Sequence, residues 1–519
     1  MPQPLPSAPD VPLGAPAQVV IFGASGDLTQ RKLIPALASL CQKGRPKEGF
    51  SVLGVARREK TSEAWRGELR EAIEPGLRDA FDKLARNIHY LAGDVGEPAA
   101  IKRLSERLDQ LPGGREAGRL FYLSIKPELF GMAAKNLAAE GLLVQREAAK
   151  RGWRRIIVEK PFGHDLKTAR TLNHDLHEVL LEEQILRIDH YLGKETVQNI
   201  LGFRFHNAIF EPVWNREHVE LIQVTVAEEL GMENGRGGYY DSTGALRDMM
   251  QNHMLQVLSL VCMEAPASLD ADVVRANKVA VLKALRPPDS DEMEKFSVRA
   301  QYTAGTVGGK PVLGYKEEDG VPKDSRTETF TAIRASIDNW RWAGVPILLR
   351  HGKRLAKRFT EVVVQFRMPP QQLFNKPDGM SDEAFRKALR DGSLCQIRPN
   401  TLTLSIQPKE GISLSFGVKT PGASMVMAPA RWDFDYKAQF GVTSAPAYER
   451  LLYDALIGDA TLFLRSDEVE ASWKFADSIV ARWGPDSKLP VYTYPAGSWG
   501  PGQADELFKG CEGGWSKGV

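Results

Sequence analysis

The stretch Gln18-Val19-Val20-Ile21-Phe22-Gly23-Ala24-Ser25-Gly26-Asp27-Leu28 decides the fold. An apolar run ends in glycine, and a helical pattern follows from Leu28 to Leu40. That is a strand, a tight turn and a helix. Gly23 permits the turn, and Gly26 lets the backbone approach a pyrophosphate, whose charge the helix N-terminus would hold. The glycines are spaced GxxG, not GxGxxG, and Thr29 stands where Gly or Ala usually allows close helix–strand packing. From the turn alone, an ordinary strand–helix connection is the alternative.

Downstream the pattern repeats. Strand-like runs at Ser51–Ala56, His89–Ala92, Leu120–Leu123, Arg155–Val158 and Gln184–Leu186 alternate with helical ones at Thr61–Leu84, Pro98–Leu108 and Pro127–Glu140. A further helix is expected from its N-cap Asp165 through Leu181. Apolar strands alternating with helices predict a doubly wound parallel sheet, an α/β Rossmann-type domain over residues 18–200. The second strand ends in Arg57-Arg58 with no acidic residue beside them. An arginine there accommodates a 2′-phosphate, so NADP is favoured over NAD; a solvated arginine pair is the plain alternative.

Beyond residue 200 strands come in series: His218–Ala227, Phe296–Tyr302, Thr327–Ile333, Val345–Leu349, Glu361–Phe366, Thr401–Ile406 and Ser413–Val418. They predict a mostly antiparallel sheet in a larger α+β domain over 201–519, with a dimer or tetramer covering its face. Helices are expected at Asp241–Cys262 (Asp241 as cap), Ala445–Ile457 and Asp467–Ala481. Residues 1–17 read as a disordered lead-in, Asp289–Lys295 as a solvated loop and the tail after Pro495 as irregular.

A chain of 519 residues exceeds what one core usually serves, which also favours two domains. A net charge of +2 argues for neither nucleic acid nor an anionic membrane, and no apolar run is long enough to span a bilayer. Cys41, Cys262, Cys395 and Cys511 are scattered without metal-ligand spacing, so buried thiols, no metal and a cytoplasmic setting are expected.

The chemistry concentrates in Arg187-Ile188-Asp189-His190-Tyr191-Leu192-Gly193-Lys194-Glu195, where a strand pattern runs out. Strand alternation would send Asp189 and Tyr191 to one side and His190 to the other, unless the chain turns there. Ammonium, phenol and imidazole groups can together bind a dianion. On the helix at Asp248-Met249-Met250-Gln251-Asn252-His253, α-helical spacing puts Asp248 and Asn252 on one face, with His253 one step round.

These segments, with Glu159-Lys160-Pro161-Phe162-Gly163, Gly235-Arg236-Gly237-Gly238-Tyr239 and Val345 to Lys353, resemble the glucose-6-phosphate dehydrogenase family over nearly the whole chain after residue 18. The resemblance implies oxidation of glucose 6-phosphate at C1 with NADP, His253 acting as general base oriented by Asp189. It assigns substrate binding to Lys160, His190, Tyr191, Lys194, Glu229, Asp248, Lys353 and Arg358. Gly23, Ala24, Ser25, Gly26, Asp27, Leu28, Arg57, Lys126 and Lys160 fall to the cofactor, with Pro161 shaping its turn through a cis bond. His351 and the Arg354–Lys357 stretch depart from common versions, which weakens Arg358. A dehydrogenase of another sugar phosphate and a non-catalytic NADP-sensing relative are the alternatives.

Overall fold

Strands rich in Val, Ile, Leu and Phe build the first sheet: β1 (Ala17–Phe22), β2 (Phe50–Ala56), β3 (Ile88–Ala92), β4 (Arg119–Leu123), β5 (Arg154–Val158) and β6 (Ile185–Ile188). All are parallel, in the order β3-β2-β1-β4-β5-β6. Every residue of β1 and β4 is buried, as both faces are covered by helices. The strand order reverses between β1 and β4, the crevice where open α/β sheets bind ligands. This computed structural model describes residues 16–145, 152–289, 292–369, 379–390, 399–422, 427–441, 446–484, 487–511 and 513–518. Residues 1–15 of the expected lead-in, 290–291 of the expected loop, Cys395 and Ala445 lie outside the described residues.

Local chemistry explains where helices depart from expectation. The run 61–84 is two helices, Ser62–Ala72 and Arg78–Ala85, separated by a 3₁₀ turn at Pro75–Leu77. Proline lacks the N–H needed to continue a helix. Asp165 does cap the next helix, accepting from Thr168 N at 2.7 Å, but that helix ends at His177 rather than Leu181.

The second sheet runs in spatial order Met427–Asp435, Gly411–Lys419, Thr401–Gln407, Phe359–Phe366, Val219–Ala227, Ile347–Gly352, Phe330–Ile337, Ser297–Thr303 and Tyr492–Pro495. It is antiparallel except where Ile347–Gly352 pairs with Val219–Ala227 and Tyr492–Pro495 with Ser297–Thr303. The strand Met427–Asp435 and the helices Glu195–His206 and Ala271–Ala284 were not anticipated from sequence.

The expected single helix 241–262 is three segments. Gly237–Ala245 breaks at Gly244, whose φ of +74° no helix tolerates. A nine-residue π-helix, Leu246–Met254, follows, then an α-helix, Leu255–Cys262. Asp241 does not cap: it accepts from the Tyr315 and Ser325 hydroxyls instead.

Late in the chain, Phe463–Leu464 returns to the first sheet, antiparallel to β6 at Ile188 and Arg187. The helix Ser466–Val480 then lies against helices of both regions, Leu166–His177 and Ala271–Ala284, and against the π-helix. Its Glu468 pairs with Lys278 Nζ at 2.8 Å, both side chains fully buried. Removing one partner would strand a buried charge. Lys278→Met should therefore destabilise by about 3–5 kcal/mol, while Lys278→Met with Glu468→Leu should recover most of the loss. Denaturant unfolding checks this; equal destabilisation by the single and double changes would contradict it.

Candidate active site

The dinucleotide turn is tight. Gly23 (φ +82°) has no room for a side chain, since a Cβ would stand 1.9 Å from the Ser124 carbonyl oxygen. Its N–H donates to Val55 O at 3.0 Å, and Gly26 N–H closes the turn onto Gly23 O at 2.9 Å. Thr29 fits where a smaller residue was expected: it is fully buried and its hydroxyl donates to Gly23 O at 3.2 Å. Asp27 pairs with Arg31 at 2.7 Å on the surface. Arg57, at the end of β2, and Lys126, beyond β4, are exposed. A cavity of about 400 Å³ runs from Leu28, Ser124 and Ile125 to Lys160, Asp248 and Tyr448. Leu28, two residues beyond Gly26, at one end and a lysine at the other suit an extended dianionic cofactor.

Strand β6 stops at Ile188, and the chain turns at once. The Asp189 carbonyl accepts Leu192 N at 3.0 Å and its carboxylate accepts Tyr191 N at 2.9 Å. Strict alternation is thereby abolished, and His190 and Tyr191 both reach His253. Their rings lie 4.4 Å from that imidazole, His190 edge-on and Tyr191 nearly parallel. His253 Nδ1–H donates to Asp189 Oδ1 at 2.5 Å, with both side chains 1% exposed. Its Nε2 is buried and has no hydrogen-bond partner among the described residues. Burial lowers the His253 pKa, which favours the neutral ring, although Asp189 pulls the other way. Burial would raise the Asp189 carboxyl, but His253 beside it prevails and holds it at about 2.

The π-helix supplies the remaining alignment. Its hydrogen bonds run i→i+5, and the wider turn leaves Asp248 flanked one turn on by both Asn252 and His253 rather than stacked under Asn252 alone. Asn252 instead donates to the Arg247 and Asp248 carbonyls, both at 3.1 Å.

Two basic groups converge on Asp248. Lys160 Nζ donates to its carbonyl at 3.1 Å and lies 3.5 Å from Oδ1, while Lys353 Nζ lies 3.3 Å from Oδ2. The Lys160–Pro161 peptide is cis. Burial would raise the Asp248 carboxyl, yet the two lysines hold it well below the usual range. Lys353 also pairs with Glu228, so the row reads Lys160, Asp248, Lys353, Glu228. The expected Glu229 follows Glu228 and is half-buried, but it makes none of these contacts.

At the other end, Lys194 Nζ sits 4.4 Å over the Tyr191 ring and bonds Gln407, which also donates to the Tyr191 hydroxyl (3.2 Å) and Thr360 (3.0 Å). Burial, and Arg358 nearby, lower Lys194 to about 8. Arg358 itself is exposed. Gln407, Thr360 and Glu228 escaped sequence reading, because nothing in their local spacing marks them. The same holds for Tyr122 and Tyr448, whose hydroxyls both bond the half-buried carboxylate of Glu159 beside Lys160.

The region 20–199 matches the model of the glucose-6-phosphate dehydrogenase NAD binding domain, and 201–516 that of the glucose-6-phosphate dehydrogenase C-terminal domain. A glucose-6-phosphate 1-dehydrogenase of Aggregatibacter actinomycetemcomitans is 46% identical, covering 94% of this chain and 95% of its own. That of Bacillus subtilis (strain 168) is 42% identical over 95% and 96%. A solved glucose-6-phosphate dehydrogenase in complex with its substrate glucose-6-phosphate superposes with a TM-score of 0.84 at 35% identity, covering 96% of this chain and 98% of that one. The chain belongs to the glucose-6-phosphate dehydrogenase family.

Proposed function

We propose that this enzyme oxidises glucose 6-phosphate at C1 to the lactone, with NADP as its dinucleotide and His253 as the base. The observation that carries this reading is a buried imidazole tied through Nδ1 to Asp189, its Nε2 unpartnered and cationic groups on either side. Neutral Nε2 takes the proton of the C1 hydroxyl, and Asp189 stabilises the imidazolium that results. The bound cofactor supplies the hydride acceptor. Lys194, Tyr191 and His190 would hold the phosphate, while Lys160, Asp248 and Lys353 hold sugar hydroxyls. Binding energy remote from C1 then positions the reacting carbon. The turn Gly23–Leu28 would carry the pyrophosphate, with Arg57 on the 2′-phosphate and Lys126 at the rim of the same crevice. Trp432, exposed on the outer strand, packs against Phe416 at 4.6 Å, and a second copy covering this face would give a homodimer or homotetramer. A cytoplasmic setting accords with this chemistry. Reduced-nicotinamide absorbance with glucose 6-phosphate or glucose, each with NADP or NAD, tests the reading; turnover of free glucose alone would defeat it.

His253→Asn should lower kcat by roughly 10²–10⁴, the usual worth of a positioned base; near-normal turnover would remove His253 from that role. Arg57→Ala should raise KM for NADP selectively, and an equal rise for NAD would contradict the 2′-phosphate assignment. The pH profile has two limbs. His253 is titrated below the ordinary ~6.5 of histidine, so kcat should fall only as pH drops through that lower value. Lys194 is cationic below about 8, so KM for the sugar phosphate should rise as pH climbs through it. Lys194→Arg should move that alkaline limb upward, since arginine stays charged; an unmoved limb would exclude Lys194 as its source.

A further inference from the structure

Immediately after Lys353 the backbone does something costly. Arg354 has φ +52°, the single positive value among the described non-glycine residues. Side chains seldom adopt that region unless their surroundings impose it. Here they do: Arg354 N–H donates to Leu230 O at 3.2 Å, and Gly497 N–H donates to Arg354 O at 2.7 Å. The flanking bonds Glu228 N to Gly352 O (3.0 Å) and Leu355 N to Glu228 O (2.9 Å) zip the segment 228–230 onto 352–355. The guanidinium then folds back over Gly231, where a Cβ would lie 2.4 Å from its Nε. It pairs with Glu233 at 2.8 Å and with Glu318 at 3.4 Å. Glu233 in turn accepts Gly231 N–H at 2.8 Å, and Glu318 accepts the Tyr302 hydroxyl at 2.9 Å. One residue thus ties the strand end bearing Lys353 to the loop bearing Glu228, which leads on to Arg236 and Tyr239 at the cavity wall.

We infer that Arg354 is a positioning residue for substrate: its left-handed turn and its two carboxylate partners hold Lys353 and Glu228 together opposite Asp248. This rests on the reading of Lys353 as a sugar contact. A clasp that only supports the fold would affect stability without separating the two substrates kinetically.

Arg354→Gly separates the roles, because glycine adopts the same backbone conformation without strain while losing both ion pairs. The expected result is a thermal midpoint within about 3 °C of the parent. KM for glucose 6-phosphate should rise about tenfold, with KM for NADP and kcat changed by less than about threefold. Arg354→Lys, which keeps one charge-assisted contact, should recover part of the loss. An unchanged sugar-phosphate KM in Arg354→Gly, or equal rises for both substrates, overturns the proposal. Should that variant fail to fold, Glu233→Gln decides: a selective sugar-phosphate KM rise supports the proposal, and none overturns it. Lys353→Ala run alongside separates the two readings. If it raises that KM and Arg354→Gly does not, only the positioning role falls; if it too leaves KM unchanged, the sugar contact falls with it.

Discussion

The hydrogen bond from His253 Nδ1 to Asp189 is the constraint on which the site depends. A carboxylate buried without a partner would cost several kcal/mol, and an imidazole free to rotate would not fix which nitrogen holds a proton. Together the two groups satisfy each other and leave Nε2 as the basic atom. The surrounding rings of His190 and Tyr191 keep the pair dry, which strengthens its electrostatics.

Each member of the pair comes from a different half of the molecule, so the bond also reports on how the halves are joined. Asp189 hangs from the end of β6 in the parallel sheet, and His253 from a π-helix of the second region. Phe463–Leu464 pairs directly with β6, and the following helix packs against the π-helix. The late return of the chain to the first sheet thus braces the His253–Asp189 pair from behind. Glu468 and Lys278 lock that brace with a buried ion pair. On the open side, Lys160 and Lys353 share Asp248, which is held ionised by them and sits one π-turn from His253.

Much of this was legible in the residues. Apolar runs broken by glycine located the β-strands of the first sheet, and the tight turn at Gly23 gave its switch point. Asp189, His190, Tyr191, Lys194 and His253, drawn from two segments of sequence, do meet in space. Local periodicity does not reveal the π-helix, because an α-helical spacing fits the same residues; in the structure Glu328 accepts Leu246 N–H at its start and Lys160 donates to the Asp248 carbonyl within it. Glu228 is hidden by its neighbour: two adjacent glutamates give no sequence signal for which one donates its N–H to the Gly352 carbonyl and turns its side chain toward Lys353. Gln407 and Thr360 lie on antiparallel strands paired across the sheet, and pairing register is invisible in a single sequence. The split at Pro75 is written in the sequence, since proline cannot continue a helix, although the apolar period runs on across it.

The most direct test of the account is the protonation state of one ring. With ¹⁵N-labelled histidine, the His253 signals, assigned by their loss in His253→Asn, should show a neutral imidazole carrying its proton on Nδ1 at pH 7. They should convert to imidazolium only well below the ordinary histidine range. An Nε2–H tautomer, or a ring already cationic at pH 7, would leave no base at the reacting carbon and would contradict the account.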